Sequence, residues 1–290
     1  MIEYDSRKFW RLVFQLRGSV IPRIALRMLL VTLVAAGVTL VHFYWRPIKF
    51  SSTPFSIVGV ALGLLLVFRT NASYDRFWEG RKLWGRVVNA ARNYALGVSN
   101  YIHSSGESSA LKGKSIDGTV AFCHLMMQHL RSEYDAGSVD HLVDKDLLQQ
   151  LNEADHKPVR MMSELTKWLE QARVEKQISD VQAAELNKEL TELIGCLGGC
   201  ERILKTPLPL AYVLHLKRFM VLFCLVLPAG LVFDLGWWTI PSIFFITYSF
   251  FGIEEIGIEI EDPFGRDPND LPLDGLCDTI EKNLKELRQV

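Results

Sequence analysis

The sequence lacks several things at once, and each absence removes a class of protein. Basic and acidic residues nearly cancel, 32 against 33, so nothing in the formal net charge of −1 points to a nucleic-acid partner. The five cysteines, Cys123, Cys196, Cys200, Cys224 and Cys277, are odd in number and make no disulfide framework. A reducing cytosolic setting suits all of them but Cys224, which falls in an apolar window. No run alternates with period two as a half-buried strand does, and no internal repeat is visible. Walker A, G-x-S-x-G and dinucleotide fingerprints are missing. The histidines at 103, 124, 129, 141, 156 and 215 contain no H-E-x-x-H pair, and His124 and His129 are five apart. Cys196 and Cys200, one helical turn apart in GCLGGC, read as close helix packing rather than a metal site. Enzymatic chemistry has no visible carrier. A cleavable signal peptide is not expected, because Arg7, Lys8, Arg11 and Arg17 interrupt the first twenty residues.

Charge itself is nearly missing from four windows: Met28–Trp45, Phe50–Phe68, Phe219–Phe233 and Leu235–Ile253. Phe50–Phe68 alone offers nineteen uncharged residues, about enough to cross a hydrocarbon layer roughly 30 Å thick. Between the second and third windows lie about 150 residues of ordinary polar, helix-forming sequence. The chain therefore reads as an integral membrane protein with a large soluble helical portion.

Thr53 to Arg86 organises the rest. An apolar half is followed by one crowded with arginine and aromatic rings, with no proline after Pro54. Pro54 sits where a first helical turn tolerates it, with Ser51, Ser52 or Thr53 available to cap. This predicts one long helix running from bilayer into cytosol. Arg69, Arg76, Arg81, Lys82 and Arg86 mark its far side as cytoplasmic by the positive-inside rule. An arginine-rich N-terminus keeps the start of the chain inside, so both cues agree. The stretch 5–18 mixes basic residues with Phe9, Trp10, Leu12, Val13, Phe14 and Leu16. It suits a helix in the membrane interface or one packed on the soluble part.

Spans are expected at about Ile24–Phe43, Phe50–Phe68, Ala211–Phe233 and from Trp238 to about Gly257, with Pro228 bending the third. Soluble helices are expected over Ser115–Glu133, Leu142–Asn152, Pro158–Lys176 and Ser179–Thr206, after a break in His103–Lys114. An amphipathic helix over Leu273–Leu287 closes the chain.

On the second span, Val60, Leu64 and Phe68 recur every four residues on one face, and Gly59 and Gly63 form G-x-x-x-G on an adjacent one. Copies ringed around an axis would pack through the glycines and bring the larger residues into an apolar constriction, which can gate by dewetting. The alternative is an ordinary packed span whose large residues meet lipid. Below it, Arg69, Arg76, Glu79 and Arg81, with Asn71, Tyr74 and Asp75, are helical neighbours. They read as inter-subunit salt-bridge staples or a charged vestibule, with the staple preferred. The acidic run Glu254, Glu255, Glu259, Glu261 and Asp262 could hold a divalent cation, or serve the structure alone.

Three strings carry a resemblance. Arg69-Thr70-Asn71-x-x-Tyr74-x-Arg76-Phe77-x-Glu79-x-Arg81-x-x-Trp84-Gly85 directly follows an apolar span. Glu261-Asp262-Pro263-Phe264-Gly265 is followed by Asn269-Asp270-Leu271-Pro272-Leu273-Asp274. Gly199-Cys200-Glu201-Arg202 precedes Thr206-Pro207-x-Pro209. Together they resemble the bestrophin family in its bacterial form, over essentially the whole chain.

The resemblance implies an all-α, pentameric membrane protein with four transmembrane helices per subunit and a cytosolic helical region. The corresponding stretches are residues 1–86, 87–206, 207–262 and 263–290. It implies a homopentameric channel passing small monovalent ions, with an apolar neck at Val60, Leu64 and Phe68 and a second narrowing near Val181. Animal relatives bind an activating calcium through a longer unbroken acidic run; this chain has Glu261-Asp262-Pro263 in its place, a departure that speaks against calcium activation, and the one cofactor left to consider is a divalent cation, calcium or zinc, at Glu261 and Asp262. Animal members conduct anions, chloride among them, and the bacterial branch includes cation conductors. The expected partners are further copies of the chain, membrane lipid and the permeating ions, in a bacterial inner membrane with both termini cytoplasmic. The rival reading is a membrane-anchored scaffold or receptor whose cytosolic helices bind a partner. A secondary transporter would show inverted repeats and broken spans, which are not seen.

Overall fold

In the computed structural model, residues 7–102 and 107–288 are described, and among them there is no strand. Ten α-helices follow in order: α1 Phe9–Val13, α2 Ile21–Tyr44, α3 Thr53–Tyr101, α4 Glu107–Leu130, α5 Lys145–Glu153, α6 Lys157–Val174, α7 Asp180–Lys205, α8 Leu210–Leu235, α9 Thr239–Glu261 and α10 Leu273–Arg288. They build two compact units. The first takes the residues up to Phe77, Pro207–Asp262 and Asp267–Asn269; the second takes Trp78–Thr206, Pro263–Arg266 and the chain from Asp270. The helix α3 contributes to both.

In the first unit the helices are long because they are apolar and uninterrupted. Three helical runs are long and apolar enough to cross a membrane: Ile21–Tyr44, Thr53–Tyr101 and Leu210–Glu261. The last is two helices, α8 of 26 residues and α9 of 23, joined by a 3₁₀ turn at Gly236–Trp238. At 1.5 Å per residue either is at least about 34 Å long, enough for a hydrocarbon core of roughly 30 Å. Gly236 makes the turn at φ +54, a conformation that a side chain with Cβ disfavours. Helices α2, α8 and α9 pack on one another. Ile24, Met28, Val31 and Ala35 of α2 bury against Leu62 and Leu66 of α3, Met220, Phe223 and Cys224 of α8, and Ile243 and Phe251 of α9.

The opposite faces are also apolar. Leu26, Leu29, Leu30 and Leu33 of α2, Leu222 and Val226 of α8 and Phe245 of α9 are exposed in the isolated chain. A water-facing helix would carry charge there; these suit hydrocarbon or another apolar surface.

Helix α1 is shorter than the sequence suggests. It covers Phe9–Val13 instead of 5–18, because Phe14 already leaves helical geometry and Gly18 turns the chain at φ +80. Positions 5 and 6 lie outside the described residues, as does His103. Phe9, Trp10, Val13 and Phe14 are all exposed, as an interfacial segment requires.

The second unit is built around α4, whose Ile116, Val120, Ala121, Phe122, Cys123, Leu125 and Met126 are buried on nearly every side. A helix apolar all round belongs at the centre of a packed unit. It packs against α6, α7 and α10. Helix α10 presents Leu273, Cys277, Ile280 and Leu284 to the interior, one amphipathic face. Gly118 is where α4 and α6 approach closely: a Cβ there would lie 2.5 Å from the Trp168 ring.

Several boundaries depart from expectation: α4 ends at Leu130 instead of Glu133, and α5 begins at Lys145 instead of Leu142. Helix α3 continues to Tyr101 and α4 begins at Glu107, inside the stretch read as a break. Leu111, Lys112 and Gly113 there are buried, so packing outweighs the low helix propensity of glycine and serine. Helix α6 stops at Val174 instead of Lys176. Lys176 adopts φ +56 and the Gln177 amide donates back to the Ala172 carbonyl at 2.9 Å, a Schellman-type closure without glycine. Helix α7 opens on a capping box between Ser179 and Gln182.

Candidate functional site

Val60, Leu64 and Phe68 lie on one face of α3 and are 67, 55 and 65% exposed, while Leu62 and Leu66 on its other side are essentially fully buried in the first unit's core. The period of four keeps the three large side chains on a single stripe. Among the described residues nothing covers that stripe. The two glycines beside it behave differently. A Cβ at Gly59 would meet the Phe223 ring of α8 at 3.3 Å, whereas one at Gly63 would meet nothing within 4 Å. Gly59 thus serves packing inside the chain, and Gly63 faces open space.

Directly after Phe68 the chemistry changes. The Arg69 Nη1 donates to Glu254 Oε1 at 2.6 Å, and its Nη2 lies 3.6 Å from Glu261 Oε2. Arg69 was expected as an inter-subunit or vestibule charge. It is instead buried in its own chain, 1% exposed, because the carboxylates at the end of α9 face it. Arg76 is likewise turned inward, its Nε donating to the Glu261 carbonyl at 3.1 Å. Glu79 pairs with Lys82 one turn on, at 2.7 Å. Only Arg81 of the four expected charges is exposed and turned outward.

The acidic end of α9 gathers more cations than the sequence alone indicates. Arg27 of α2 reaches Glu255 at 2.9 Å, Arg23 reaches Glu259 at 3.0 Å, and Lys217 of α8 approaches Glu254 at 3.6 Å. Carboxylates at a helix C-terminus oppose its dipole, so they need such partners. The positions of Arg23, Arg27 and Lys217 near the starts of apolar runs were visible in the sequence; their pairing was not. Glu261 has both carboxylate oxygens engaged, Oε1 accepting from the Leu208 amide at 3.2 Å.

The motif strings also meet within the second unit. A Cβ at Gly80 would lie 3.1 Å from the fully buried Phe264 ring, and one at Gly199 would lie 2.9 Å from Leu83. Arg131 holds the segment after Asp262, donating to the Phe264 carbonyl at 3.2 Å and bidentately to Asp274 at 2.9 Å. Val181, in the first turn of α7, is 78% exposed. The five cysteines are buried and free; burial pushes the Cys196 thiol up to about 11, so it stays protonated at neutral pH.

A family model described as Bacterial/Fungal Bestrophin protein matches residues 1–286. The chain belongs to that bestrophin family. A relative, a voltage-dependent anion channel-forming protein of Nostoc sp., is 40% identical over 97% of this chain and 92% of its own length. The similarly named YneE of Escherichia coli K12 is 36% identical over 99% of this chain and 94% of its own. The crystal structure of a bacterial bestrophin homolog from Klebsiella pneumoniae superposes with a TM-score of 0.86 at 33% identity, covering 92% of this chain and 98% of that one. The Nostoc and Escherichia coli relatives are named as channel-forming, and the chain is an integral membrane protein with the fold of the Klebsiella bestrophin homolog.

Proposed function

We propose that this chain is the subunit of a homopentameric ion channel that passes small monovalent ions passively along the axis between subunits. The observation that carries the reading is the uncovered stripe of Val60, Leu64 and Phe68, set on a helix whose other side is committed to the core. Five such stripes meeting at an axis make an apolar neck. The open space at Gly63 leaves room for a neighbouring helix to approach. The inward ion pair of Arg69 and the hydrogen bond of Arg76 to the Glu261 carbonyl fix the rotation of α3, so they support the neck by holding its stripe outward from the core.

The named relatives favour anions. An apolar neck carries no fixed charge and sets no sign preference by itself, so selectivity depends on charged rings elsewhere. Each chain crosses the membrane four times, by α2, the first half of α3, α8 and α9, in the bacterial inner membrane with both termini cytoplasmic. Val181, uncovered at the start of α7, forms a second narrowing. A divalent cation at Glu261 and Asp262, calcium or zinc, belongs to the same reading as a regulator; it would compete with Arg69 for the Glu261 carboxylate.

The test is the reversal potential of the purified protein in a planar bilayer under a KCl gradient. A resolved conductance supports the channel, and the sign of the potential separates anion from cation. A flat trace from a correctly assembled preparation overturns it in favour of a membrane-anchored scaffold.

A further inference from the structure

Away from α3 and the end of α9, the second unit gathers three ligating side chains that no local motif announces. His129 lies in the last turn of α4, His156 caps the start of α6, and Glu201 stands in the middle of the motif string on α7. Glu201 Oε1 is 2.7 Å from the Nε2 of His129 and 2.7 Å from the Nε2 of His156. The two imidazoles stack with centroids 4.3 Å apart, tilted by 31°. One ligating atom from each of the three side chains lies within 4.8 Å of the others.

A single carboxylate oxygen receives both imidazoles, so two nitrogen ligands and one oxygen from three separate segments converge on one point. We propose that His129, His156 and Glu201 form a site for one transition-metal dication, zinc by preference, which ties α4, the start of α6 and α7 together.

The donor set selects the class of ion. Two imidazoles and one carboxylate suit zinc, cobalt or nickel; calcium and magnesium ask for six or more oxygens, which the cluster does not offer. Three protein ligands leave the fourth tetrahedral position to water. Bonds of about 2.0–2.1 Å at tetrahedral angles need donor separations of roughly 3.3–3.4 Å, so each 2.7 Å contact must open by less than 1 Å. Side-chain rotation supplies that without moving a helix. The ligands are partly buried, so the ion has a route from water. Lys205, one turn beyond Glu201, is the nearby cation that opposes loading. The site is distinct from Glu261 and Asp262, and its loading is read without reference to conductance.

The experiment uses the full-length protein, purified in detergent and stripped with chelator, titrated with ZnCl₂ by calorimetry and with CoCl₂ by visible absorption. One zinc per chain is expected at this cluster, lost in its variants and kept when Glu261 and Asp262 are replaced, with the intense visible bands of four-coordinate cobalt. Glu201→Gln keeps a hydrogen-bond acceptor for both histidines but loses the charged ligand, and His156→Ala removes a part-exposed ligand at a helix start. Each should weaken binding by at least about 100-fold, beyond the 10- to 100-fold that loss of a supporting partner costs. Zinc should also raise the melting temperature of the parent and leave both variants unchanged. Absence of stoichiometric binding, or equal affinity in parent and variants, overturns the proposal. So does loss of binding in Glu261→Gln with Asp262→Asn alone, which would place the ion at the end of α9. Should Glu201→Gln fail to fold, the His156→Ala titration decides.

Discussion

Arg69 Nη1 sits 2.6 Å from Glu254 Oε1, with both side chains at most 2% exposed. An arginine that follows an apolar stretch at the expected membrane boundary is thus enclosed by the end of α9. Its Nε has no hydrogen-bond partner, and Glu254 is shared with Arg27 and Lys217. The pair locks α3 against α9 at the turn where the uncovered stripe ends.

Removing one member of this pair strands the other in a low-dielectric site. Arg69→Ala or Glu254→Gln should each destabilise the fold by about 3–5 kcal/mol. Arg69→Met combined with Glu254→Leu should recover most of that loss, because the remaining cations Arg27 and Lys217 are about half exposed and rehydrate. Thermal unfolding of the detergent-solubilised protein measures both; a double variant as unstable as the singles contradicts the account.

Leu64→Ala should raise single-channel conductance, because the substitution widens the apolar stripe at its middle. The side chain is 55% exposed within the chain, so the same change should cost little stability. Planar-bilayer recordings of alanine variants at 60, 64 and 68 check this. Currents and selectivity identical to the parent in all three would take these residues out of the ion path.

Gly118→Ala should destabilise the second unit by about 1–3 kcal/mol, the usual cost of overpacking a filled core. The added methyl would meet the Trp168 ring at 2.5 Å, with Met161 and Leu165 at 3.0 and 3.1 Å preventing its escape. Pairing it with Trp168→Phe should return part of the loss in a denaturation series.

Acid should loosen the same unit through Glu281. Burial alone would raise its carboxyl, but hydrogen bonds from Lys285, His141 and His124 outweigh that and hold it at about 2. The folded value lies below the unfolded value of about 4.3, so the stabilisation is present above that pH and is lost as pH falls from there toward 2. The contribution is about 1–2 kcal/mol after allowance for solvent screening. Circular dichroism during acid titration should show a shallower loss of helix over that window in Glu281→Gln than in the parent.

Much of this architecture is written locally. Pro54 in a first turn, Ser179 as a cap and the apolar windows act within a few residues, so the helices they start or extend were legible; the Asp144 cap was not read, and α5 opens at Lys145 instead of Leu142. Helix ends were less so: Lys176 and Ser132 close helices with positive φ and no glycine, which leaves no compositional mark. Within the break expected at 103–114, residues 107–114 are helical instead, where burial of Leu111 and Lys112 is a tertiary effect.

The chain by itself determined where apolar length suffices for a membrane, which side carries the positive charge, and the stripe spacing of Val60, Leu64 and Phe68, because each depends on neighbours within one or two helical turns. Tertiary structure alone decided that Arg69 turns inward to a carboxylate 185 residues away, and that His129 and His156 meet Glu201 across 72 and 45 residues. Periodicity fixes the face a side chain takes on its own helix. Which helix comes to lie against that face depends on how all of them pack together.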